Sequence, residues 1–167
     1  MALGQGLEDS SVSLAIKGVT WLIPLLQSIH IVTIGIVFVS SLMIALRVMG
    51  RMRADEPFAA VWGRFAPWMW GGLVVMLVTG VLLVLGEPIR EFTALSFWLK
   101  MSLLAISVLA TAAFGHTFAP ARNPSPTFSS GAKVAAAGIM VLWLAIIFLG
   151  RAIAYDVEVW GSHSLHT

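Results

Sequence analysis

The chain of 167 residues is 59% hydrophobic and only 11% charged, with a mean hydropathy of +0.93 and a formal net charge of +2. A soluble domain carries about 25% charged and about 45–50% apolar residues, so there is too little charge here to clothe a water-exposed surface. That excludes a soluble enzyme, a disordered tail and, despite a pI near 9.5, a basic nucleic-acid binder. The chain belongs in a lipid bilayer, and with 0 cysteines it has no disulfide, iron–sulfur or thiolate chemistry.

Residues 1–16 lack a basic start and carry Glu8 and Asp9, so they do not read as a signal peptide. Residues 1–10 read as a polar tail, and Ser11 to Lys17 as a short helical turn at the interface. The uncharged runs 18–46, 65–86, 101–121 and 134–150 follow. Crossing a bilayer takes roughly 20 mostly apolar residues, and backbone amides in lipid must pair within their own segment. These runs therefore predict four spanning helices, at about 21–46, 68–86, 95–117 and 133–155. The alternation of a membrane β-barrel is absent.

Between the first two spans, Asp55-Glu56-Pro57 reads as a helix start. Phe58, Trp62 and Phe65 then predict an amphipathic segment at about 56–65, resting on the inner leaflet. Gly71, Gly72, Thr79 and Gly80 in the second span permit close helix approach. The prolines from Pro120 to Pro126 mark a loop. The fold class is thus all-α: one membrane domain over residues 1–167, built as a four-transmembrane-helix bundle.

The loops after the first and third spans hold Arg47, Arg51, Arg53, Arg64, Arg122 and Lys133, and acids gather on the other side. By the positive-inside rule both termini face the periplasm or exterior. The expected location is the bacterial cytoplasmic (inner) membrane, multi-pass.

Ionisable groups within spans cost roughly 2.5–3.5 kcal/mol each on insertion scales and are functional candidates. His30 lies about 13 Å inward from Trp21 at the rise of a helix. Gln27, Thr33 and Ser41 accompany it at helical spacings, a polar stripe that must face the bundle interior. Glu87 ends the second span, Lys100 falls in the second turn of the third, and Arg151 falls in the last turn of the fourth near Tyr155. All four charges converge on the outer half. The alternatives are that Lys100 and Arg151 snorkel to the headgroups and that His30 makes a structural hydrogen bond to a neighbouring helix.

His116 sits about 31 Å into its span, too deep to share one iron with His30. His163 and His166 in the tail are two ligands without a third, a poor metal signal. The scattered methionines read as adaptable core filler, and the tryptophans as interfacial belts.

The strings Ser28-Ile-His30-Ile-Val-Thr-Ile-Gly35, Met76-Leu-Val-Thr-Gly80-Val-Leu-Leu, Phe97-Trp98-Leu-Lys100-Met and Gly150-Arg151-Ala-Ile-Ala-Tyr155 resemble an uncharacterised family of small bacterial four-helix membrane proteins, a domain of unknown function. More distantly they resemble the HemJ-type protoporphyrinogen oxidases and the copper-resistance-D membrane domain. The HemJ resemblance implies a functional pair at His30 and Lys100 and a b-type haem, with Trp98 a match at shifted spacing. Arg151 belongs to the pattern of the uncharacterised family alone.

These readings lead to an integral membrane redox protein with haem b or a related tetrapyrrole in the outer half of the bundle. His30 would be the metal ligand, and Lys100, Arg151, Gln27, Trp98 and Tyr155 would complete the cofactor site. Electrons would pass to quinone or a periplasmic partner. The alternatives are a quinone or small-anion binding protein without haem, and an accessory subunit of a larger membrane complex. The expected partners are the lipid bilayer, a membrane or periplasmic redox protein and a second copy in a homo-oligomer. Whether the protein is an enzyme stays open.

Overall fold

The computed structural model describes residues 2–118 and 127–161. Four long helices dominate: α3 (Leu22–Val48), α4 (Phe58–Gly86), α6 (Leu95–Phe118) and α7 (Ser130–Ala152). Short helices α1 (Ala2–Glu8), α2 (Ser11–Gly18) and α5 (Pro88–Thr93) gather with α8 (Asp156–Trp160) at one end, here the cap end. The α3–α4 connection lies at the other, the loop end. Each long helix is long and apolar enough to cross a bilayer, so this is a multi-pass membrane protein with an all-α bundle fold. The faces turned outward are apolar as lipid demands: Leu77, Leu109, Val134 and Phe148 are all exposed.

Local chemistry fixes the helix ends. Ser10 and Ser129 start α2 and α7 by accepting the backbone N–H of Ser13 and Ala132 at 3.2 and 3.3 Å. Pro88 opens α5, where its missing N–H costs nothing. Helix α3 stops in a left-handed turn at Gly50, φ +72°. There Arg51 N–H donates to Leu46 O at 3.0 Å and Gly50 N–H to Arg47 O at 3.1 Å, which satisfies the last carbonyls of the helix.

Two boundaries differ from the sequence reading. The segment expected at about 56–65 on a membrane surface is the first two turns of α4, which runs unbroken through Pro67. Phe58 and Val61 are buried against the other helices. Their side of the segment packs on the protein core, with Trp62 and Phe65 partly buried against it. Residues 2–8, read as part of a polar tail, form α1.

Helices α3 and α4 pair closely, α6 and α7 form a second hairpin, and α3 docks on α7. Glycines set the approach. At Gly72 a Cβ would stand 2.7 Å from Val37 Cγ2, and at Gly115 one would collide with the Trp62 ring. The apolar core is layered. Phe58, Phe114, Ala136 and Met140 fill the loop end, and Val37, Met69, Met76, Trp143 and Ile146 fill the middle. At the cap end the packed apolar layer shrinks to Ala94, Phe97 and Ile153, and polar side chains enter the bundle.

Candidate functional site

Helix α3 carries His30 on the side that faces α4. The imidazole Nδ1 lies 2.7 Å from Thr79 Oγ1, and Thr79 Oγ1 is also 2.8 Å from the Val75 carbonyl. A hydroxyl has one proton to give. Given to Val75, it leaves Thr79 accepting from Nδ1–H and puts the imidazole lone pair on Nε2. No described residue bonds that nitrogen. The ring edge packs toward Gly80 of α4, where a Cβ would make an ordinary contact 3.5 Å from His30 Cε1.

Lys100 enters from α6 and packs against α7. Its stem lies along Gly150 of α7, with Cε and Nζ each 3.8 Å from where a Cβ would be. The ammonium makes no ion pair or hydrogen bond with any described residue, and it lies within electrostatic reach of both His30 and Glu91. Glu91, on α5, is half-buried. Burial pushes its carboxyl above the usual range, against the opposing pull of Lys100 and Arg90.

Helix α6 is held at its start by a residue 60 positions away. Asp156 of α8 accepts Leu95 N–H at 3.1 Å and Ser96 N–H at 2.9 Å. Trp160 Nε1 donates to Ser96 Oγ at 2.8 Å. A carboxylate at a helix N-terminus meets free N–H groups and the positive end of the dipole, so α8 fixes the helix that presents Lys100. By sequence Asp156 is one more of the acids that gather on the outer side. No local pattern announces a cap whose donors lie in a different helix.

The structure brings His30 and Lys100 together and leaves the other expected site residues on the outside. Gln27 is exposed. Arg151 is exposed and stacks on the Tyr155 ring, 5.8 Å from its centroid. Trp98 packs on Phe97 and Phe92 while donating from Nε1 to Phe92 O at 3.1 Å, so it seals the α5–α6 joint. Of the stripe partners, Thr33 and Ser41 are buried. Glu87 bonds Arg90 on α5. His116 is exposed at the loop end of α6. His163, His166 and Arg122 lie outside the described residues. Among the described residues, no group of three His, Asp or Glu stands close enough to hold a metal ion.

One buried cation was missed. Arg47, read as a loop charge that sets topology, is only 2% exposed. Its Nε donates to Glu56 O at 2.7 Å, and its guanidinium lies 5.9 Å from the Phe128 ring centroid.

No family model, curated protein or solved structure matches the chain.

Proposed function

We propose that the cap-end half of the bundle is a binding site for the oxygenated ring of a quinone-class lipid, with His30 and Lys100 as its polar contacts. One observation carries this reading: the imidazole of His30 and the ammonium of Lys100 stand at the same level inside a membrane bundle, each with unused hydrogen-bonding capacity. Polar groups in a bilayer are costly unless partnered. A quinone carbonyl accepts from an ammonium, and a quinol hydroxyl donates to an imidazole nitrogen. The apolar tail of such a ligand stays in the lipid that surrounds the helices. Glu91 at the bundle end supplies a carboxyl between this pair and water.

The same residues suit a b-type haem less well. An imidazole whose Nδ1 is held by Thr79 is oriented as axial ligands are, but its Cε1 edge faces the closely paired α3–α4 seam, where a Cβ at residue 80 would stand 3.5 Å away. Arg151, expected to pair with a propionate, faces outward. A macrocycle would have to part α3 from α4, so no step is assigned to it.

Basic residues at the loop end and acids at the cap end support a cytoplasmic loop end and outward termini, in the inner membrane of a bacterium. The test is titration of the purified protein in lipid nanodiscs with a short-tailed benzoquinone, followed by tryptophan quenching. Saturable binding that weakens about tenfold or more in His30→Leu and Lys100→Met is expected, about 1.4 kcal/mol or more each. Unsaturable partitioning, or a Soret band in the protein as purified, would overturn the reading.

A further inference from the structure

Hydroxyls in membrane helices ordinarily return their proton to the carbonyl one turn back. This chain does so repeatedly: Ser28 to Pro24, Thr33 to Ile29, Thr79 to Val75, Ser102 to Trp98 and Thr117 to Ala113, at 2.7–3.0 Å. Ser107 and Thr111 on α6 do not. Ser107 Oγ and Thr111 Oγ1 are buried and meet no hydrogen-bond partner among the described residues, and the same holds for Trp143 Nε1 on α7. Ser107 and Thr111 are four positions apart and so share one face of α6. That face looks into the bundle, where both residues are buried.

A cavity of about 20 Å³ opens at Thr111, between the middle and loop-end layers of the core. Ser41 of α3 and Met69 of α4 also line it, among apolar neighbours such as Ile44, Phe114 and Ile139. Ser41 Oγ donates to Met69 Sδ at 3.2 Å, a weak acceptor, and its own lone pairs stay open. A cavity needs roughly 10–15 Å³ of this measure, with two or more polar partners, to hold one water. This one meets both conditions.

We propose that this cavity is a binding site for a single internal water, which accepts from Thr111 Oγ1–H and donates to Ser41 Oγ. The water joins α3 to α6, two helices that otherwise meet little. It relieves a hydroxyl that would be orphaned in a medium without solvent.

Thr111→Val separates the two states of the cavity by sign. Valine has nearly the shape of threonine without the hydroxyl. If Thr111 anchors a water, the substitution strips one of its partners and the Tm of the full chain in nanodiscs falls by about 2–4 °C. If the hydroxyl is a dry orphan, removing it raises the Tm, and the proposal is wrong. Thr117→Val, at an exposed hydroxyl bonded within its own helix, controls for the change of side chain. A structure of the full chain in lipid, at a resolution that shows ordered solvent, is the second measurement. Density within hydrogen-bond distance of both Ser41 Oγ and Thr111 Oγ1 is expected, and an acyl chain or no density there would overturn the site.

Discussion

The carboxylate of Asp156 accepts the backbone N–H of Ser96 at 2.9 Å, so α8, the last of the described helices, caps the first turn of α6. The neighbouring Leu95 N–H binds the other oxygen at 3.1 Å, which makes the contact bidentate and charge-assisted. Loss of a helix cap costs about 0.5–2 kcal/mol. Asp156→Ala should therefore lower the Tm by several degrees, and Asp156→Asn, which keeps one acceptor oxygen but loses the charge, by less. Because α6 carries Lys100, the alanine variant should also weaken quinone binding although residue 156 touches no ligand. A Tm unchanged in both variants would show that the cap is not formed in the membrane.

The hydrogen bond between His30 and Thr79 makes a narrower prediction. Thr79→Val keeps the shape against α3 and removes the oxygen that accepts from Nδ1–H. The imidazole then has no partner fixing its tautomer. Nitrogen chemical shifts of His30 should change from one predominant tautomer to a mixture, and quinone affinity should fall by roughly tenfold or less, the worth of one neutral hydrogen bond. Thr79→Ser should keep both properties near those of the parent chain. Equal behaviour of the valine and serine variants would remove Thr79 from the site.

Two adjacent glycines on α4 should respond in opposite ways. A Cβ at Gly72 would meet Val37 Cγ2 at 2.7 Å, and at Gly71 it would meet nothing within 4 Å. Gly72→Ala forces a branched side chain to move in a packed layer and should cost about 1–3 kcal/mol. Gly71→Ala meets only lipid and should be neutral, or stabilising by up to about 1 kcal/mol through helix propensity. Chemical denaturation in mild detergent would measure both. Similar losses at the two positions would mean that Gly71 also faces a protein surface.

That pair also marks how far the sequence reaches. Scarcity of charge finds four spans because lipid penalises every unpaired polar group alike, but it misses the start of α4, which lies at Phe58 rather than near residue 68. The level of His30 and Lys100 along the bundle follows from helical rise for the same reason. Rotation about each helix axis does not follow. The helices are apolar on nearly every face, so periodicity cannot say that Gly72 turns inward while Gly71 turns out, or that Arg151 leaves the interior that Lys100 enters. Partners distant in the chain are equally hidden. Nothing near Asp156 signals that it caps α6, and nothing near Arg47 signals that Phe128 covers it.

Glu91 provides the pH test. Burial raises its pKa above the ordinary 4.5, more than Lys100 and Arg90 lower it, so the folded state prefers the protonated carboxyl relative to the unfolded chain. Between pH 4.5 and the raised value, the folded protein holds the proton that the unfolded chain has released. Stability contributed by this group is therefore complete at low pH and declines as pH rises through that window. Glu91→Gln removes the ionisation. The variant should be more stable than the parent at pH 7–8 and converge with it below about pH 4.5. Thermal denaturation across this range measures the difference. A variant less stable than the parent at neutral pH would mean that Lys100 holds the carboxylate more strongly than burial opposes it. The Glu91–Lys100 pair would then be an ion pair that closes the site from the cap end.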